Sequence, residues 1–177
     1  FKELMSERQD FKEYAEVTLA NGTVLELTED DFSIDNNSLV DSAGANSIPL
    51  GVALSRNVQL EIMNDDDHLS DYDFFGAKIR LYLTFELSST TEKIEYGTFT
   101  VTQPETYGSV VTIVGYDDMY KADKTYSTTL TFPATAKSVL IDSCDTCGIL
   151  IGNSNFLHND FQIPTMPSSE YTHRQII

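Results

Sequence analysis

A chain of 177 residues with 41% hydrophobic side chains can bury the core of one ordinary domain and part of a second. Its 28 acidic against 11 basic residues leave a formal net charge of −17, which repels a phosphate backbone and an anionic membrane surface. Sequence-specific nucleic-acid binding is disfavoured on that ground, and no apolar run approaches the roughly 20 residues that cross a bilayer.

In chain order, residues 1–14 (FKELMSERQDFKEY) are charged and amphipathic, without the pattern of a signal peptide. Leu4, Phe11 and Tyr14 fall near one side, and the spacing predicts an N-terminal helix. The chain opens at Phe1 without a methionine, so an upstream start is expected. In AEVTLANGTVLELT, Val17 and Leu19 alternate with polar residues, and Leu25 and Leu27 resume the alternation after Asn21-Gly22. That dipeptide predicts a hairpin closed by a type I′ turn. Asn21-Gly22-Thr23 also spells a glycosylation sequon, but the turn accounts for it fully.

Residues 33–50 are rich in Asn, Ser, Asp and Gly and read as a long loop. RNVQLEIMN turns Val58, Leu60 and Ile62 inward. AKIRLYLTFEL puts Ala77, Ile79, Leu81, Leu83, Phe85 and Leu87 on one face, with Lys78, Arg80, Tyr82, Thr84 and Glu86 on the other. Two further strands carry Phe99 and Val101, then Val111 and Ile113. Strands at this spacing, joined by short turns, predict a mainly β fold, an antiparallel barrel or sandwich over residues 15–130.

The pattern changes over residues 131–177, which read as the start of an α+β second domain. ATAKSVLIDSCDTCG has helical spacing, with Thr135 as N-cap and Gly148 as stop. ILIGNSNFLHNDFQIP returns to extended structure. Thr172 and Gln175 form a capping box that opens a last helix, and the chain stops at Ile177 one turn in, so a longer parent chain is expected.

The only two cysteines, in SCDTCGIL, are spaced C-x-x-C. Ala136, Leu140, Cys144 and Cys147 form one helical stripe, so both thiols share an apolar face. A redox pair sits at a helix N-terminus, where the dipole favours the thiolate; this pair lies in the last turns. A zinc site needs about four ligands, and His158 and His173 stand at no common finger spacing. The cysteines read as packing, with a metal or redox role as the weaker reading.

NDDDHLSDYD, residues 64–73, fails as a calcium loop. A register from Asp65 puts Leu69 at the third ligand position, Ser70 where Gly is required and Gly76 where Glu belongs. It reads instead as a polar connection. Asp117, Asp118 and Asp123 are mixed with lysines and read as a charged strand end, and His68 reads as surface. No catalytic pair, nucleophile elbow or phosphate loop is visible, so no enzyme activity, cofactor or metal is expected.

Read together and in order, RQDFKEYAEVTLANGTVLELT, GAKIRLYL with YGTFTVTQPE, VTIVGYDDMYKADKTY, LTFPATAKSVLIDSCDTCGILI and EYTHRQII resemble the N-terminal part of the tail-hub, or tail-associated, proteins of phages and prophages of Gram-positive bacteria. The resemblance spans nearly the whole chain; each motif is weak and their order carries it. It implies a β-barrel-like first domain and a second domain completed further on. It also implies a homotrimer in the full-length protein, closing the tail tube against tube or distal-tail rings. The virion tail tip, or baseplate, is the implied location, after synthesis in the bacterial cytoplasm. No catalytic residues are implied here; wall hydrolase or receptor-binding modules of that family lie further towards the C-terminus.

The expected function is therefore structural, by protein–protein contacts, with the acidic surface a wall along which DNA slides without sticking. The alternative is a carbohydrate-binding β module of a tail protein. Such a module displays exposed aromatics, and the chain has nine Tyr but no Trp. A wall hydrolase would need a catalytic pair that the residues do not supply.

Overall fold

Period-two alternation makes a strand with one apolar face, and several such strands can bury those faces together. The structure, a computed structural model, describes residues 11–33, 36–42, 53–86, 91–102 and 107–177. Seven strands, β1 (Phe11–Thr18), β2 (Val24–Leu27), β3 (Ser38–Ser42), β4 (Ser55–Met63), β5 (Lys78–Glu86), β6 (Thr91–Val101) and β7 (Val110–Tyr116), form one antiparallel sheet. Their order across it is β2-β1-β5-β6-β7-β4-β3. The fold is mainly β, as the alternation predicts. The sheet is not closed into a barrel; it ends at β2 and β3.

Inward residues of the strands meet in one cluster. Val17, Val58, Leu60, Ile62, Ile79, Phe99, Val101, Val111 and Ile113 are all buried there. Leu69 and Phe74, from the polar connection between β4 and β5, plug the same core. Each such side chain contributes about 1.5–3 kcal/mol on burial. Gly115 is a packing requirement. A Cβ there would lie 3.0 Å from Phe99 Cβ and 3.2 Å from Ile79 Cδ1, so only a bare backbone lets those side chains cross β7.

Several expectations are corrected. Phe11–Tyr14, the end of the expected helix 1–14, are strand: Phe11 pairs with Phe85 and Tyr14 with Tyr82. Ladder bonds to β5 satisfy this backbone, and they outweigh a weak helical period. Residues 1–10 of that helix lie outside the described residues. The first hairpin is real, but its turn is not type I′, because Asn21 is not among the residues with positive φ. The Gly22 amide donates to Leu19 C=O at 2.9 Å and the Leu19 amide to Thr23 C=O at 2.8 Å. Gly22 alone takes φ +87. This is a three-residue loop with a glycine bulge. Within the expected loop 33–50, Ser38–Ser42 forms β3, and Leu39 packs against the core.

The chain divides into two units, Phe1–Val40 with Asn57–Asp117, and Asp41–Arg56 with Asp118–Ile177. The division after β7 thus falls at Asp117, not at 130, because the chain leaves the sheet for a 3-10 turn over Asp118–Ala122. That turn replaces the expected charged strand end. The second unit is built on α1 (Ala136–Cys147), with a short ladder of β8 (Ala134–Thr135) on β9 (Gln162–Ile163) and a last turn α2 (His173–Ile176). Of the expected extended stretch 149–164, only Gln162 and Ile163 form a strand.

The local signals of this unit hold. Thr135 Oγ1 accepts the Ser138 amide at 3.1 Å, and Gly148 takes φ 67 at the C-cap. The Ala136 and Lys137 amides, the next unpaired donors of the helix, reach Phe161 C=O and Asn159 C=O. Thr172 and Gln175 form the capping box. Ile176 and Ile177 are half-buried.

Candidate functional site

The cysteines lie on the buried side of α1, as free thiols. The fully buried stripe is Val139, Ser143, Cys144 and Cys147; Ala136 and Leu140, expected on it, are only half-buried. Burial pushes both thiols up, with Cys147 a second cause at Cys144, while Lys124 pulls the Cys147 value back down. A thiol held in its neutral form is a poor nucleophile and a poor metal ligand. No group of three or more His, Cys, Asp or Glu side chains able to hold a metal occurs among the described residues.

The histidines are not brought together. His68 stands on the surface and pairs with Asp66, whose carboxyl it holds below the usual range. His158 sits in a turn with φ 62. His173 is wholly buried. The Ser127 amide donates to its Nε2 at 3.3 Å, and its ring lies 5.0 Å from that of Tyr126. Burial first, then Lys124, pushes the imidazole below its ordinary value, against the opposing pull of Asp142.

This polar island was not legible in the sequence. Among the described residues, Tyr126 Oη, Ser143 Oγ and His173 Nδ1 are buried side-chain atoms that lack a hydrogen-bond partner. Beside them Thr128 donates to the Asp142 carboxylate at 2.6 Å. The island holds hydroxyls, an imidazole and thiols, the groups of nucleophilic catalysis. Tyr126, Ser143, Cys144, Cys147 and His173 are all buried. The island is part of a buried core with three polar atoms left unpaired among the described residues.

The acidic stretches behave as connections. Asn64 organises the one after β4: its Oδ1 accepts the Leu69 amide at 2.8 Å and its Nδ2 donates to Gly108 C=O at 2.9 Å. Asp65, Asp66, Asp67, Asp71 and Asp73 around it point to solvent. Asp118 pairs with Lys121 at 2.6 Å and Asp123 with Arg174 at 3.0 Å. Arg174 also donates to Ser42 C=O at 2.8 Å and Ala53 C=O at 3.2 Å, which ties these two residues to α2. Asp118 and Asp123 are thus each held by a basic side chain.

Two features remain as surfaces for binding. In the first unit a cleft of about 170 Å³ is lined by Leu39, Val58, Leu60, Leu81 and Leu83, with Glu13 its one charged side chain. It has room for an apolar side chain. In the second unit, Leu150, Leu157 and Phe161 are 92%, 83% and 63% exposed. No helix among the described residues is long and apolar enough to cross a membrane. No family model and no curated protein matches the chain.

Proposed function

We propose that the chain is a structural part of a phage tail tip, the N-terminal portion of a tail-hub protein, acting through protein–protein assembly. The order of the resembling segments supports this reading, and the fold class agrees with it: a β unit comes first and a small α+β unit follows. The observation that carries it furthest is the exposed apolar set Leu150, Leu157 and Phe161, which suits a surface buried in an assembly. In this reading the partners are tube or distal-tail rings, the complete protein is a trimer, and no catalytic residue is at work. The net charge of −17 lets passing DNA slide without adhering.

Co-expression with the neighbouring tail proteins, followed by light scattering, tests the proposal. A ring-shaped complex is expected. A stable monomer at high concentration, alone and with the tube protein, overturns it. Saturable binding on a glycan array, in place of a complex, supports the carbohydrate-binding module instead.

A further inference from the structure

Among the described residues, the longest strand of the sheet has a second strand beside it only at its C-terminal end. β6 pairs with β5 from Thr91 to Thr100, but among the described residues it meets β7 only at Thr100 and Val101. β7 ends at Tyr116, so the stretch of β6 before Phe99 runs on past it. Every residue from Thr91 to Tyr96 is exposed, and Ile94 keeps 47% of its surface in water. The bulge where β5 shifts register between Leu81 and Tyr82 closes this stretch at Gly97, leaving Thr91–Glu95 regular. No proline interrupts it. A strand edge of this kind presents backbone donors and acceptors at strand spacing, ready to pair with another strand.

The side chains define what pairs there. Lys93 lies opposite Thr84 and Glu95 opposite Tyr82, so both are on one face; Ile94 lies opposite Leu83 on the other. We infer that β6 pairs antiparallel with β6 of a second copy of this chain, about a two-fold axis at Ile94. A two-fold axis perpendicular to the sheet keeps the faces of the two copies aligned, so the axis must pass through a residue position. Centred on Glu92, Lys93 or Glu95, it sets a charge directly against its own copy, which is destabilising. Centred on Ile94, it sets Lys93 opposite the second copy's Glu95 twice over and puts the two Ile94 side chains together. Of these four registers, only this one is self-complementary, and it builds an isologous contact. The pairing goes beyond the tail-tip reading and stands without it. In an assembly with three-fold rings, a two-fold axis of this kind relates one ring to another.

Cysteine cross-linking tests the register. Directly opposed residues have Cα atoms about 4.5–5.5 Å apart, within disulfide reach. Under mild oxidation Ile94→Cys gives a covalent dimer, while Glu95→Cys, facing Lys93 of the other copy, does not. The native thiols are buried and serve as background. Lys93→Glu weakens dimerisation about tenfold or more, because two opposite-charge contacts become like-charge ones. The double variant Lys93→Glu with Glu95→Lys restores it, although Lys93 has then lost its place 3.8 Å over the Tyr14 ring. The measurements belong near 0.15 M salt, where a Debye length of about 8 Å screens the repulsion between two acidic copies. A folded Ile94→Cys chain that stays monomeric under oxidation overturns the proposal, as does equal cross-linking through Glu95→Cys. Should Ile94→Cys fail to fold, the unmodified chain decides. Amide protection of Thr91–Glu95 that rises with protein concentration supports the pairing, and protection independent of concentration overturns it.

Discussion

The Ser127 amide donates to Nε2 of His173 at 3.3 Å, which makes Nε2 the acceptor and leaves the ring proton on Nδ1. The buried imidazole is thus held neutral, with its value pushed below the ordinary one by burial first and Lys124 next. The unfolded chain binds a proton near pH 6.5 that the folded chain refuses, so stability is full above that pH and falls as pH drops below it, down to the folded value. The slope is at most about 1.4 kcal/mol per pH unit. Thermal melts between pH 7.5 and 5.5 should show this loss, and His173→Gln should flatten it. An equal slope in the variant would assign the dependence elsewhere.

Gly22, at φ +87, is the one residue of the first turn in the left-handed region. Gly22→Val should destabilise the hairpin by about 1 kcal/mol or more, and Gly22→Asn by clearly less, since asparagine tolerates that region. Chemical denaturation of both variants reads the difference; equal costs would contradict the turn geometry.

At Gly115 the constraint is steric. The Cβ of Gly115→Ala would press on Phe99 and Ile79, and fitting it in should cost about 1–3 kcal/mol. An unchanged denaturation midpoint would show that β7 can shift outward freely.

Cys144 and Cys147 should react slowly with a thiol reagent in the native protein and quickly once it is unfolded, because both are buried and kept protonated. Replacing either with alanine should cost on the order of 1 kcal/mol through lost packing. Stoichiometric zinc by metal analysis would refute a packing role.

A gel shift with duplex DNA at physiological salt should show no complex, given the net charge of −17. Salt-sensitive binding would contradict the sliding-wall idea.

What the sequence determined by itself was whatever a short stretch decides alone. Thr135 and Gly148 bound α1 because a hydroxyl in reach of the Ser138 amide and a left-handed glycine are local devices. The Thr172–Gln175 box works over three residues. Val58, Leu60 and Ile62 point inward because strand alternation is intrinsic. Only the tertiary structure decided the rest, since a strand's hydrogen-bond partners lie far away in the chain. Phe11–Tyr14 are strand because β5 supplies their ladder; the Thr84 hydroxyl reaches Lys12 C=O across 72 positions. β3 exists because β4 offers it an edge, and among the described residues the sheet ends at β2 and β3. The polar island around His173 joins Ser127 to a residue 46 positions on, on elements whose meeting no local spacing announces.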